Sequence, residues 1–147
     1  MTRLSKQSRV SRTLIYYYFG KSKLGILREG VNLFGAEFAG VTPERVAMWR
    51  EGKIAESLTM SRALLKQMPQ LASFYFLYRD EETEVGEAIR DKEKQFKEKL
   101  VSFFPHLSQA RVDGLFAGFW GIVFAPAIDE DAVREIARAL LKSASEK

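Results

Sequence analysis

The 147-residue chain has no cysteine, one histidine and four prolines. Without cysteine there is no disulfide framework and no thiol nucleophile. The lone histidine, His106, follows Pro105 at a turn and completes neither a nucleophile–base pair nor a zinc set. Paired acids such as Glu81 and Glu82 fall at a helix start, where they complement its dipole. Catalytic residues, metal ligands and cofactors are therefore all assigned as none, and an enzyme is not expected. The front of the chain also lacks the charged, apolar and small-residue pattern of a secretory signal. The longest uncharged run, Gly114 to Ile128, reaches about 22 Å as a helix, short of a hydrocarbon core of roughly 30 Å. It is not a membrane span, and a cytoplasmic protein without membrane contact is the expectation. Strand alternation, internal repeats and low-complexity tracts are missing too. With 46% hydrophobic and 29% charged residues, the chain can form one compact body with a small appended head.

Acidic residues are almost missing from the first thirty positions. Arg3, Lys6, Arg9, Arg12, Lys21, Lys23 and Arg28 face Glu29 alone, a net +6 that leaves −2 for residues 31–147 of the +4 total. A basic head on a slightly acidic body points to nucleic acid at one end, because clustered cations near phosphates release condensed counterions. Within that head, Val10 to Phe19 combines a helix start with two distinct faces. Ser11 suits an N-cap and Val10 a staple, while Leu14, Ile15 and Phe19 recur at a core-facing spacing. Arg12, Thr13, Tyr17 and Tyr18 are left outside. Guanidinium, hydroxyl and phenol groups bind phosphate oxygens and base edges, and Lys21 and Lys23 add cations just beyond. The alternative is an amphipathic helix whose three tyrosines pack on neighbours.

The order Val10, Ser11, Ile15, Tyr16, Tyr18, Phe19, followed by Ser22 and Lys23 at the start of a longer helix, resembles the TetR family of bacterial repressors. The resemblance implies an all-α fold with a helix-turn-helix head and a helical ligand-binding and dimerisation body. It implies DNA contacts by Ser11, Arg12, Thr13, Tyr16, Tyr17, Tyr18, Lys21 and Lys23. Three departures from the family pattern stand out. Arg9 occupies the turn position where the family usually has glycine, and a left-handed backbone there costs a non-glycine residue about 1–2 kcal/mol. One extra residue separates Phe19 from Ser22-Lys23, so Lys21 is a second candidate for the family's lysine–phosphate contact. The family's first helix has no counterpart upstream of Met1, so the head is expected to be truncated, either as a shortened variant or because the true start lies further upstream.

From Ser22 to Ala39, Leu24, Leu27, Val31, Phe34 and Phe38 make one helical face that joins head to body. The expected division is 1–40 for a partial DNA-binding domain with its connecting helix and 41–147 for the body. Thr42-Pro43-Glu44 opens a helix expected to run to about Met68, with Gly52 as a kink. Gln70 to Arg79, short and aromatic, is expected inside the body. Residues 81–104 read as a surface helix with Val85, Ile89, Phe96, Leu100 and Phe103 inward, and with Glu93 and Lys97 as an i,i+4 pair. Ser108 caps the uncharged helix, and Asp129 to Asp131 open a last one. About eight helices are expected.

Trp49, Met60, Phe74 and Tyr75, with Tyr78, Phe116 and Trp120, supply more aromatic mass than a minimal core needs. The resemblance implies an effector cavity there for an apolar or aromatic small molecule; mutual packing is the alternative. Gly114, Gly118, Gly121 and Ala125 form a small-residue stripe, and with Val133, Ile136 and Leu140 they are the expected interface of a homodimer, since the last two helices match in order the family's dimer pair. The expectation is a ligand-responsive transcriptional regulator, most simply a repressor, binding a palindromic double-stranded operator. Two readings from other classes stand beside it: a dimeric small-molecule binding protein whose head no longer binds DNA, and a helical interaction module.

Overall fold

A computed structural model describes residues 2–125 and 127–145, and among them it contains nine α-helices and no strand. They are α1 (Thr2–Ser8), α2 (Arg12–Phe19), α3 (Lys23–Phe38), α4 (Pro43–Arg50), α5 (Ile54–Gln67), α6 (Gln70–Tyr78), α7 (Glu84–Phe103), α8 (Gln109–Phe124) and α9 (Glu130–Ser145). Short polar side chains start most of them. Ser11, Ser22, Thr42, Thr83 and Ser108 each accept a hydrogen bond from the backbone N–H three residues on. Asp129 Oδ1 does the same for Ala132 N at 2.8 Å. Each cap satisfies one of the donors that the first turn leaves without an intrahelical partner.

The stretch from Thr42 to Met68 is two helices, not one. Gly52 takes φ +78, a left-handed conformation open to glycine, and Glu51-Gly52-Lys53 forms a turn instead of a kink. The segment 70–79 also differs from expectation. Tyr75 is buried, but Phe76 and Leu77 are about two-thirds exposed, because α6 packs on the body by one side only.

α7 runs through the middle of the packing, against α3, α6 and α8. On one side Phe96 and Leu100 join Trp49, Leu58, Phe119 and Val133 in the main core of α4, α5, α7, α8 and α9. On the other, Val85 and Ile89 join Tyr75 and the inward residues of α3. Trp120 touches both clusters. Its ring lies 5.5 Å from Phe96 and 6.0 Å from Phe124, and Phe96 is in turn 6.0 Å from Trp49. Such ring pairs contribute about 0.5–1.5 kcal/mol each beyond the area they bury.

Polar side chains also stitch these layers together, and two such places involve buried arginines. Arg45, 1% exposed, donates from Nε to Ser57 Oγ at 2.9 Å and from its terminal nitrogens to Ser61 Oγ at 2.7 Å, to the Ser57 carbonyl, and to Glu37 Oε1 at 2.9 Å. Ser61 Oγ passes the network on to the Phe38 carbonyl, and Trp49 Nε1 donates to Ser57 Oγ. Burial pulls the Arg45 guanidinium below its ordinary value, with Glu37 acting against it. The C-terminal end of α3 is thus tied to α4 and α5. At the second place, buried Arg62 of α5 donates to the carbonyls of Ile122, Ala125 and Ile128, closing the end of α8 where helical partners run out.

Lys99 of α7 lies beside the first network. Its Nζ donates to the Gly40 carbonyl at 2.7 Å and sits 3.6 Å from the centre of the Trp49 ring. No carboxylate pairs with it among the described residues. Burial first, then the charge of Arg45, pushes its pKa down from 10.5 to about 7. Between those values the unfolded chain binds the proton and the folded one does not, so this group makes the fold more stable as pH rises from about 7 to 10.5. Lys99→Met should therefore be most stabilising relative to the native chain below pH 7, and its advantage should shrink by pH 10. Urea melts of both proteins across that range measure the difference; a constant gap would exclude Lys99 as the source.

Candidate functional site

Three surfaces carry the residues singled out in the sequence, beginning with α1 and α2. Ser11 Oγ accepts from Leu14 N at 3.2 Å, which fixes the start of α2 and turns Arg12, Thr13, Tyr17 and Tyr18 outward. Tyr17 and Tyr18 are 79% and 69% exposed, and their rings meet edge to face. Tyr16 is half-buried, and Lys21 and Lys23 are exposed. Between the helices, Arg9 has φ +56, the single positive value at a non-glycine among the described residues. Ser5 Oγ bridges that turn to the Val10 carbonyl at 2.6 Å. Behind α2 comes α3, whose Gly25 would place a methyl group 3.3 Å from the Phe19 carbonyl, so a larger residue would push the two helices apart.

Arg3, Lys6, Arg9, Arg12, Lys21 and Lys23 form no ion pair among the described residues, whereas Arg28 is held by Glu29 at 2.8 Å and by Glu84 at 3.1 Å. The positive charge of the first 23 residues is therefore uncompensated by ion pairs among the described residues. Of the apolar positions read as core-facing in α2, Ile15 is buried, but Leu14 and Phe19 are 46% and 41% exposed, and Leu4 of α1 is 40% exposed. Two short helices have too little surface to cover them.

The second surface is a cavity of about 260 Å³ enclosed by α3, α6 and α7, with Trp120 of α8 lining it as well. Leu27, Val31, Phe34 and Phe38 line it from α3, and Leu71, Phe74 and Tyr75 from α6. Phe34 is 56% exposed, so the cavity opens to solvent beside it. Of the expected pocket residues, Phe74, Tyr75 and Trp120 line the cavity, and Tyr78 packs next to it on Phe74. The other three do not reach it. Trp49 is sealed in the main core, Phe116 stacks on the outer side of Trp120, and Met60 is exposed on α5. The cavity lies nearer to α3 than their positions suggested, because the inward stripe of α3 forms a whole wall.

Tyr75 brings buried polarity to this wall. Its hydroxyl donates to Glu93 Oε1, to which Arg79 Nε also donates at 2.7 Å. Burial, and then Glu93, pushes the tyrosine up to about 12, so it stays a neutral donor. Trp120 Nε1 is buried without a hydrogen-bond partner, although it lies close enough to Tyr75 to offset part of that rise. Glu93 is thus a buried anchor and not the partner of Lys97, which pairs with Asp113 at 2.7 Å. Arg45, Glu93 and Lys99 escaped the sequence reading because a charge on an amphipathic helix looks the same whether it faces water or a partner from another helix. Only Glu93 left a trace: it falls on the stripe of Val85, Ile89, Phe96 and Leu100, at the same four-residue step from Ile89.

The third surface is the outer side of α8 and α9. Gly114 and Gly121 are exposed with open space around them, Ile136 is 39% exposed, and Ala125 and Leu140 are half-buried. Two expected interface residues face inward instead. Val133 is wholly buried in the protomer's own core, and a methyl at Gly118 would sit 2.9 Å from Leu140, so Gly118 is where α8 and α9 meet within one chain.

No described helix is long and apolar enough to cross a membrane, and no three of the described His, Asp or Glu side chains gather as a metal site. No protein-family profile, characterised protein or solved structure matches the chain significantly.

Gly30 lines the cavity from the middle of α3, and a methyl placed there meets nothing within 4 Å. Gly30→Ala should therefore stabilise the fold by about 0.5–1 kcal/mol through helix propensity alone. Thermal or urea denaturation gives the sign; a destabilised variant would mean that this wall is closed in solution.

Proposed function

We propose that the chain is a TetR-like transcriptional regulator, a cytoplasmic homodimer that inserts α2 into the major groove of a palindromic operator and responds to an apolar or aromatic effector held between α3, α6 and α7. The observation that carries this reading is the segment from α1 to the start of α3, where exposed Tyr17, Tyr18 and Thr13 stand among six exposed cations, Arg12 included, without carboxylate partners among the described residues. Such a surface favours a polyanion, and a capped helix with outward polar groups suits a groove. α3 supports the coupling, since one helix both lines the cavity and is joined to α2 by only the three residues Gly20, Lys21 and Ser22. An effector that shifts α3 against α7 would re-aim α2. If the effector-bound aim no longer spans two half-sites, the effector lifts repression.

In this reading Lys21 and Lys23 hold phosphates, while Arg12, Thr13 and Tyr17 lie closest to bases, so the two sets fail differently. Lys23→Ala should weaken all sequences alike and flatten the dependence of log affinity on log salt by about one unit. Tyr17→Ala should lower discrimination between operator and unrelated DNA by roughly 1–3 kcal/mol. Binding to genomic fragments at stated salt, followed by these variants, decides the matter. Equal losses on all sequences from both variants would remove base reading from α2, and no binding at low salt would remove DNA altogether.

The outer side of α8 and α9 supports the dimer, because small residues let two such helix pairs approach closely. Gly121→Arg is the suitable test, since a Cβ there meets nothing within 4 Å in its own protomer, unlike one at Gly118. Sedimentation should show dimers for the native chain and monomers for the variant; an unchanged dimer would move the interface elsewhere.

A further inference from the structure

We infer that the cavity between α3, α6 and α7 selects amphipathic monoanions, molecules with an apolar alkyl or aryl body and one carboxylate, and that Lys92 of α7 is the residue that selects them. The inference rests on the proposal that this cavity takes a ligand and names the ligand's class.

Among the described residues lining the cavity, Lys92 alone is charged, and no carboxylate joins it. The side chain is half-buried, and its stem lies across α3 at Gly35, where a methyl would come within 3.1 Å of Lys92 Cγ. The glycine thus lets the lysine stem cross between the two helices. Its Nζ makes one hydrogen bond, a 3.4 Å contact to the neutral Gln95 Oε1 on the same helix. Most other buried or half-buried cations of the body are engaged: Arg45 by Glu37, Arg79 by Glu93, Lys97 by Asp113, and Arg62 by three carbonyls. The stem lines the cavity while the ammonium lies at its exposed rim without a counter-ion, which favours a ligand that places its apolar body inside and brings a negative charge to the mouth. Of the other polar groups on the lining residues, the Tyr75 hydroxyl is committed to Glu93, and Gln70 and the Trp120 indole carry no charge with which to choose between an acid and its neutral counterpart.

Size limits the class. The volume of about 260 Å³ is near the lower edge of small-molecule sites. At roughly 30 Å³ for each water-sized group, it holds about nine, which suits a medium-length alkyl chain or a two-ring aryl body.

The probes are decanoate, decanol and decyltrimethylammonium, each below its micellar concentration, with 2-naphthoate and 2-naphthol as the aryl pair. Binding is read by tryptophan emission, since Trp120 lines the cavity, and by the melting shift. The proposal expects decanoate or 2-naphthoate to bind about tenfold more tightly than its neutral counterpart, and whichever acid does so identifies the body as alkyl or aryl. Lys92→Gln should erase that preference, and Lys92→Glu should transfer it to decyltrimethylammonium. Lys94→Gln, removing an exposed lysine on the same helix, should leave it intact. Gly30→Phe, which fills the cavity and leaves every cation in place, should abolish binding of the preferred acid.

Alcohols binding as well as acids, or a preference that survives Lys92→Gln, would overturn the selection by Lys92 while leaving the cavity a ligand site. Acid binding that survives Gly30→Phe would place the anion elsewhere on the basic surface and overturn it equally. No binding by any probe would remove both this inference and the ligand role of the cavity. Should the Lys92 variants fail to fold, the ranking of acid, alcohol and ammonium on the native chain, with Gly30→Phe beside it, still decides.

Discussion

One buried guanidinium holds the arrangement on which the other parts depend. Arg45 leaves α4 and reaches Glu37 at the end of α3 and both Ser57 and Ser61 of α5, so three helices are fixed by one side chain. A buried charge is costly unless its donors are used, and here five hydrogen bonds use them. Trp49 and Lys99 are drawn into the same knot through Ser57 and the Gly40 carbonyl. Because the knot sits at the C-terminal end of α3, the N-terminal half of that helix is positioned by packing and one exposed ion pair. Its neighbours there are α7, α6 and the cavity between them, with the Arg28–Glu84 ion pair on the surface. Firm anchoring at one end and compliant packing at the other is what a helix needs if a small change in its seat is to be felt at the head.

α7 plays the complementary part. It carries Val85 and Ile89 for the α3 side, Phe96 and Leu100 for the main core, and between them Glu93, which secures Tyr75 and Arg79. The cavity wall, the aromatic row through Trp120 and the polar knot at Lys99 therefore all lean on one helix. Substitutions on α7 will seldom have a single effect, whereas α8 and α9 can vary on their outer side without disturbing the cavity.

Much of this was legible in the residues themselves. Ser11, Ser22, Thr42 and Ser108 mark helix starts because a short hydroxyl before a periodic apolar run has few other uses, and the stripes of α3 and α7 follow from three- and four-residue steps. The break at Gly52 was not legible, since glycine inside a helical pattern is compatible with both a bend and a turn. Nor was the exposure of Phe76 and Leu77, because hydrophobicity reports a preference for burial and not whether a neighbour exists to supply it. The candidate site divides in the same way. The outward face of α2 could be read from one helix, but the cavity could not, as its walls come from α3, α6 and α7. The aromatic residues singled out included three of its lining groups and missed α3 as its principal wall.

The thin packing of the head has a thermodynamic consequence. Among its described residues Ile15 is the one buried apolar side chain, and a single such contact secures about 1.5–3 kcal/mol, a small part of what a folded domain holds. α1 and α2 should accordingly open far more often than α7 or α8, and their amide protons should exchange with solvent at a free energy well below that of global unfolding. Any partner of this face meets an ensemble in which the ordered head is one member. Part of the association energy then goes into ordering it, and the burial of Leu4, Leu14 and Phe19 against a partner would appear as a negative heat-capacity change larger than the polar contacts alone would give.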